Sequence, residues 1–125
     1  MVVIDANEAC IGVTVGERVD IVWHDTSMVP RKHHKGGQSA QRFARGRDEA
    51  LKGWLRKVAE KLVDQFTRSG NMVDIDIVVG GPGMTKDRFV KELPGYVYEN
   101  VSAIKNCGYT DENGLWELLG KSRYR

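Results

Sequence analysis

Cysteine is scarce. Cys10 and Cys107 are the only two in 125 residues, and they stand far apart in apolar, strand-like stretches with no CxxC spacing. That excludes a disulfide-stapled scaffold and reads as reduced, half-buried core thiols of a cytosolic protein. Long apolar runs are missing too. The stretch IVVGG near residue 80 is typical, far below the roughly 20 residues that cross a bilayer, so no membrane partner is expected. No charged n-region followed by an apolar core opens the chain, which predicts no secretory signal and a cytoplasmic location. Internal repeats and low-complexity linkers are lacking as well. A hydrophobic content of 41% in 125 residues remains, enough for one domain around one core.

Charge is sorted along the chain. The net charge is only +2, but residues 31–57 carry nine Lys/Arg against two acids, Asp48 and Glu49, a net of +7. The remainder carries ten basic and fifteen acidic residues, a net of −5. A concentrated basic segment on an acidic body is the footprint of a polyanion partner, with nucleic acid as first candidate.

The first third reads as β. The runs "MVVIDA", "ACIGVTV" and "VDIVWHDTSM" are separated by short polar turns, which predicts a three-stranded antiparallel meander. In "VDIVW" the alternation of Val19, Ile21 and Trp23 predicts a single core face. From Ser39 to Phe66 the period changes: Leu51, Trp54/Leu55, Val58/Ala59, Leu62/Val63 and Phe66 form the stripe of a long amphipathic helix. Ser39 is its expected N-cap and Gly70 its stop, while Gly46 and Gly53 weaken it by up to ~1 kcal/mol each. The helix's first half has almost no apolar stripe apart from Phe43, so it is expected to project beyond the body. "MVDIDIVVGG" and "VSAIKNCGY" read as strands, "TKDRFVKEL" (Thr85 as N-cap) and "DENGLWELLGKS" as helices. The expectation is one α/β domain over residues 1–125, a mixed sheet with helices on its faces. Both ends fall inside regular elements, which reads as a domain taken from a longer chain.

Between the meander and the helix lies "KHHKGGQSAQRFAR". Gly36 and Gly37 permit backbone angles closed to other residues and let the main chain approach a partner without Cβ interference. Gln38 stands at a helix N-terminus, where free N–H groups and the helix dipole favour negative charge. A main-chain N–H there can donate to an oxyanion or a leaving oxygen. The side-chain amide donates and accepts at once, so it can orient a water, yet it cannot take a proton. Chemistry at this loop is therefore positional and electrostatic, with a partner supplying the rest.

The stretch "VPRKHHKGGQSAQRFARGRDEALKGWLRKVAEKLVDQF" closely resembles the middle domain of the archaeal and eukaryotic class I peptide chain release factors. There the run KH-x-x-GGQSA-x-RF-x-R leads into a long helix, as Lys32 to Arg45 do here. "VVIDANEACIGVTVG", "IDIVVGGPGMTKDRF" and "GYTDENGL" also look like that domain, archaeal more than eukaryotic, so the resemblance covers nearly the whole chain. It implies a mixed five-stranded sheet between helices, ribonuclease-H-like and ribosomal-protein-like, with the GGQ loop leading into a projecting helix. It implies translation termination, with the loop entering the peptidyl transferase centre of the large ribosomal subunit and promoting hydrolysis of P-site peptidyl-tRNA. Gly36, Gly37 and Gln38 would be the catalytic loop, and Gln38 is the residue whose amide is methylated in many members. Arg31, Lys32, His33, His34, Lys35, Arg42, Arg45 and Arg47 would meet rRNA and tRNA. No cofactor is implied, and activity would require the ribosome. The family's N-terminal codon-reading domain and its C-terminal domain, which binds a translational GTPase, have no counterpart in these 125 residues. Two alternatives stay open at this point: a rescue factor that releases peptides without reading a stop codon, and a ribosome-binding module with an inactive GGQ.

Three other features invite chemistry. His33 and His34, with His24, have no Cys or carboxylate at ligand spacing from the adjacent pair, so no metal site is expected. "VGGPG" at 79–83 lacks the Lys-Ser/Thr of a P-loop and the spacing of a dinucleotide fingerprint, and reads as a tight strand-to-helix turn. Asp5, Asp74 and Asp76 would suit Mg²⁺ binding for phosphodiester cleavage, but surface alternation opposite Ile75 and Ile77 is the simpler explanation. Trp23, Trp54 and Trp116 are expected in the core.

Overall fold

In the computed structural model, residues 1–29, 38–68 and 76–123 are described, with side chains for 1–29, 45–67 and 76–120. Five strands form one mixed sheet. β1 (Val2–Ile4), β2 (Glu8–Val15) and β3 (Arg18–Thr26) make the expected antiparallel meander, and β4 (Ile77–Gly81) and β5 (Val101–Asn106) extend it in parallel beyond β1. The order is β3-β2-β1-β4-β5. Gly16, at φ +62°, is the first of two residues in the β2–β3 hairpin turn, where a two-residue loop requires a positive φ.

The central strand shows why the sheet has two layers. Val2, Val3 and Ile4 are all fully buried, and alternate residues serve opposite faces. Val2 and Ile4 join Ala9, Ile11, Ile77 and Val79 beneath α1 (Gln38–Arg68), whose Leu51, Trp54, Leu55, Val58, Ala59, Leu62 and Phe66 form the buried stripe. Phe89 and Val90 of α2 (Thr85–Val90), Leu93, and Val97 of α3 (Gly95–Tyr98) complete that cluster. On the other face Val3, Cys10, Val19 and Cys107 pack against Leu115 and Leu118 of α4 (Glu112–Arg123). The mixed five-stranded α/β expectation holds.

Several local expectations are corrected. The meander carries a β-bulge: Ile11 pairs with Trp23 but Gly12 pairs with Ile21, so Val22 is the extra residue. A bulge reverses the facing of the residues on its far side. Trp23 therefore packs on the α1 side, whereas Ile21 stands beside Gly12 on the α4 side and is 44% exposed. One core face for Val19, Ile21 and Trp23 was the wrong inference. Trp116 is likewise 44% exposed rather than core, because α4 turns Leu115 and Leu118 to the sheet instead. Helix α1 opens at Gln38, so Ser39 lies inside it, and α2 is preceded by Met84, which puts Thr85 inside the helix rather than at its cap. Gly70 lies outside the described residues, as does the start of the strand expected from Met72, "MVDI" (72–75). The last strand ends at Asn106, three residues short of Tyr109, so "CGY" lies beyond it, and α3 has no counterpart in the sequence reading.

Candidate nucleic-acid interface

Of the residues expected at the site, Arg31, Lys32, His33, His34, Lys35, Gly36 and Gly37 lie outside the described residues. Gln38 is the first residue of α1, and no acidic residue stands in the helix's first turn. The first four N–H groups of an α-helix have no partner within it, and without a neighbouring acid the positive end of the dipole is not offset from within the helix. Arg42 follows in the helix one turn on. Arg45 is exposed and Arg47 half-buried, and the first buried residue of the stripe is Leu51. At 1.5 Å per residue, Gln38 and Leu51 are about 20 Å apart along the axis. The basic half of α1 makes no contribution to the core as far as its side chains are described.

The second half is tied down on two flanks. Trp54 Nε1 donates to the Asp5 carbonyl at 3.0 Å, and its ring lies 6.2 Å from that of Trp23. Lys57 Nζ reaches Asp25 Oδ2 at 2.7 Å. The Lys57 ammonium, helped by the Thr26 N–H, holds the Asp25 carboxyl below the usual carboxylate range. On the α2 side Arg88 Nη1 donates to Asp48 Oδ1 at 3.1 Å, and Arg56 Nε lies 3.5 Å from Glu92 Oε2.

The chain entering the Gly-Gly-Gln segment is fastened to the same β1–β2 turn that receives Trp54. Ser27 N donates to the Asn7 carbonyl at 2.7 Å and Ser27 Oγ to the Ala6 carbonyl at 2.5 Å, while Val29 N donates to Ser27 Oγ at 3.3 Å. Asp5 shapes that turn: its Oδ1 accepts from Asn7 N at 2.7 Å and Glu8 N at 2.8 Å, and its Oδ2 accepts from Thr110 Oγ1 at 3.2 Å. Asp5 is thus a turn-forming carboxylate. Asp76 is exposed in coil just before β4, and Asp74 lies outside the described residues. His24 Nε2 sits 2.6 Å from Glu8 Oε2 across β2–β3. Among the described residues no three His, Cys, Asp or Glu side chains gather at metal spacing.

The "VGGPG" stretch is the expected strand-to-helix turn. Gly83 has φ +63°, and a Cβ at Gly81 would fall on the Ile4 carbonyl oxygen. Buried Lys86 returns its ammonium to the Gly83 carbonyl. Both cysteines are free and buried, more deeply than expected.

Sequence reading missed the residues that hold the helix rather than those on it. Arg88, Asp5 and Asp25 meet α1 across 32 to 49 positions in sequence, and periodicity carries no signal for such pairs. It also missed an acidic groove of about 420 Å³ along the distal half of α1, lined by Ala59, Glu60, Val63, Asp64, Glu92 and Pro94 with Arg56.

Fold and helix together define a class: an α/β domain carrying a long helix whose N-terminal half is basic. The chain belongs to the family described as eRF1 domain 2, whose model matches residues 1–125. It is similar to peptide chain release factor subunit 1 of Archaeoglobus fulgidus, with 38% identity over 125 residues, covering 98% of this chain and 30% of that protein. The protein of the same name from Methanopyrus kandleri is 40% identical over 124 residues, with the same two coverages. The chain spans under a third of the length of these relatives. The crystal structure of an archaeal translation termination factor, aRF1, matches with a TM-score of 0.77 over 99% of this chain and 34% of that one, at 21% identity, a likeness of fold.

Proposed function

We propose that this domain promotes hydrolysis of peptidyl-tRNA at translation termination, with Gly36, Gly37 and Gln38 as its catalytic loop. The observation that carries the reading is the start of α1 at Gln38, directly after two glycines, in a chain of this family. The Gln38 main-chain N–H, at the helix's positive end, donates to the oxygen on which charge develops. The side-chain amide holds the attacking water by accepting one of its protons in a hydrogen bond. Water oxygen bonds to the ester carbonyl carbon, the bond to the tRNA ribose oxygen breaks, and a proton goes to that leaving oxygen. Gln38 acts throughout by position, because it does not ionise, and the ribosomal RNA of the peptidyl transferase centre supplies the surrounding groups. The glycines leave room for RNA backbone to approach. Arg31, Lys32, His33, His34, Lys35, Arg42, Arg45 and Arg47 engage rRNA and tRNA phosphate, and an amide methyl on Gln38 would narrow the slot for water. Stop-codon reading and GTPase binding are assigned to the parts of the full-length protein that correspond to the remaining length of its relatives.

The test is peptide release from loaded ribosomes by the full-length protein. Gln38→Ala removes the amide that places the water, and Gly37→Ala restricts the backbone that places the main-chain N–H; each is expected to lower release by about 10²-fold, the cost of a displacement of about 1 Å at a reacting centre, with ribosome binding retained. Release that survives both changes overturns the assignment.

A further inference from the structure

We infer that four residues of α1 and their partners are positioning residues for Gln38: the body holds the helix as a lever, braced against sideways swing on both flanks. The inference rests on the catalytic reading of Gln38 above. Trp54 lies 16 residues from Gln38, about 24 Å along a helix axis. At that length a tilt of about 5° carries Gln38 through about 2 Å, and a displacement of about 1 Å at a reacting centre can cost 10²-fold in rate. A loop that works by placement alone needs its lever fixed.

The ties are distributed as such a lever requires. Asp48 and Lys57 are nine residues apart, which at 100° per residue sets them on opposite sides of the helix. Asp48 is held by Arg88 at 3.1 Å and Arg56 faces Glu92 at 3.5 Å, both toward α2 and its C-terminal turn. Lys57 is held by Asp25 at 2.7 Å and Trp54 by the Asp5 carbonyl at 3.0 Å, both toward the meander. Swing toward either side stretches the ties on the other. Asp48 is the outermost of the four, ten residues or about 15 Å from Gln38, and so has the greatest control over the tip. Its side chain and that of Arg88 are 60% and 42% exposed. Exposed ion pairs contribute little to stability, so this pair can be broken without unfolding the domain.

The experiment measures peptide release by the full-length protein over a range of protein concentrations, with Arg88→Asp, Asp48→Arg and the double exchange. Each single reversal is expected to lower the release rate at saturation by about tenfold, with half-saturation within about twofold, the signature of an interaction that acts on the reacting geometry rather than on binding. The double exchange restores the pair with its charges swapped and should recover most of the rate. Thermal unfolding midpoints of all three should match the parent; should Arg88→Asp unfold, Arg88→Gln reads the same quantities. Wild-type rates in both single variants overturn the inference. So does a loss that the double exchange fails to recover, or one confined to half-saturation, which would make these residues ribosome contacts. Gln38→Ala and Gly37→Ala are run alongside: if release survives both, the catalytic reading has failed and this inference falls with it. If they abolish release while the reversals do not matter, only the lever is wrong.

Discussion

Cys10 shows how a residue that takes no part in the proposed chemistry still sets a measurable property. Its side chain is fully buried on the α4 face. Burial first, then the charges of Glu8, Asp111 and Glu112, push the thiol up from 9.0 to about 11. In the unfolded chain the thiol ionises near its ordinary value, whereas the folded chain keeps its proton. Between pH 9 and about 11 unfolding therefore releases a proton, and stability falls as pH rises. The contribution is fully present below pH 9. Urea midpoints of the native protein and of Cys10→Ala, compared from pH 8 to 11, should show the native protein losing ground relative to the variant across that window. Parallel curves would mean that the thiol is not held protonated.

At the scale of elements, α1 was legible because its apolar residues repeat at 3.6 from Leu51 to Phe66, and a helix on a sheet has no other way to bury that stripe. The meander was legible from alternation, but its bulge was not, since an extra residue at Val22 leaves the letters unchanged and moves only the partner. The ties of α1 were illegible for a related reason: an aspartate that meets an arginine 40 residues on looks like any other surface charge. The basic half of the helix was readable as a charged stretch, and its role only through the Gly-Gly-Gln run. The two helix glycines now divide. A Cβ at either Gly46 or Gly53 would touch nothing within 4 Å, so neither is there for close packing. Replacing Gly53, which lies in the anchored half, with Ala should raise global stability by up to about 1 kcal/mol, read as an unfolding midpoint. Gly46 stands outside Asp48, the outermost of the four tied residues named above, so Gly46→Ala should instead slow amide exchange between Gln38 and Arg47 and leave the midpoint nearly unchanged. Equal midpoint shifts from the two would mean that the outer half is coupled to the core.

For the molecule as a whole, charge and shape run along the same axis. Arg42, Arg45, Arg47 and Lys52 stand in the outer half of α1, while Glu60, Asp64 and Glu92 line the groove beside the inner half. The domain is therefore bipolar, and near a polyanion the field turns the Gln38 end inward and the acidic end outward. Arg88 of the body and Lys57 of the inner half of α1 are spent on Asp48 and Asp25, whereas Arg45 and Lys52 are exposed on the helix and offer their charge to phosphate. Each phosphate so neutralised releases counterions, and the logarithm of the binding constant falls with the logarithm of salt by about 0.7–0.9 per contact. Binding of the full-length protein to the large ribosomal subunit should thus weaken steeply between about 50 and 200 mM salt. Arg45→Gln and Lys52→Gln should each flatten that slope by about one contact's worth, whereas Lys91→Gln, on the body beyond α2, should leave it unchanged. A slope that is flat in the parent, or equally altered by all three, would remove the outer helix from the RNA interface and leave the basic segment without its assigned partner.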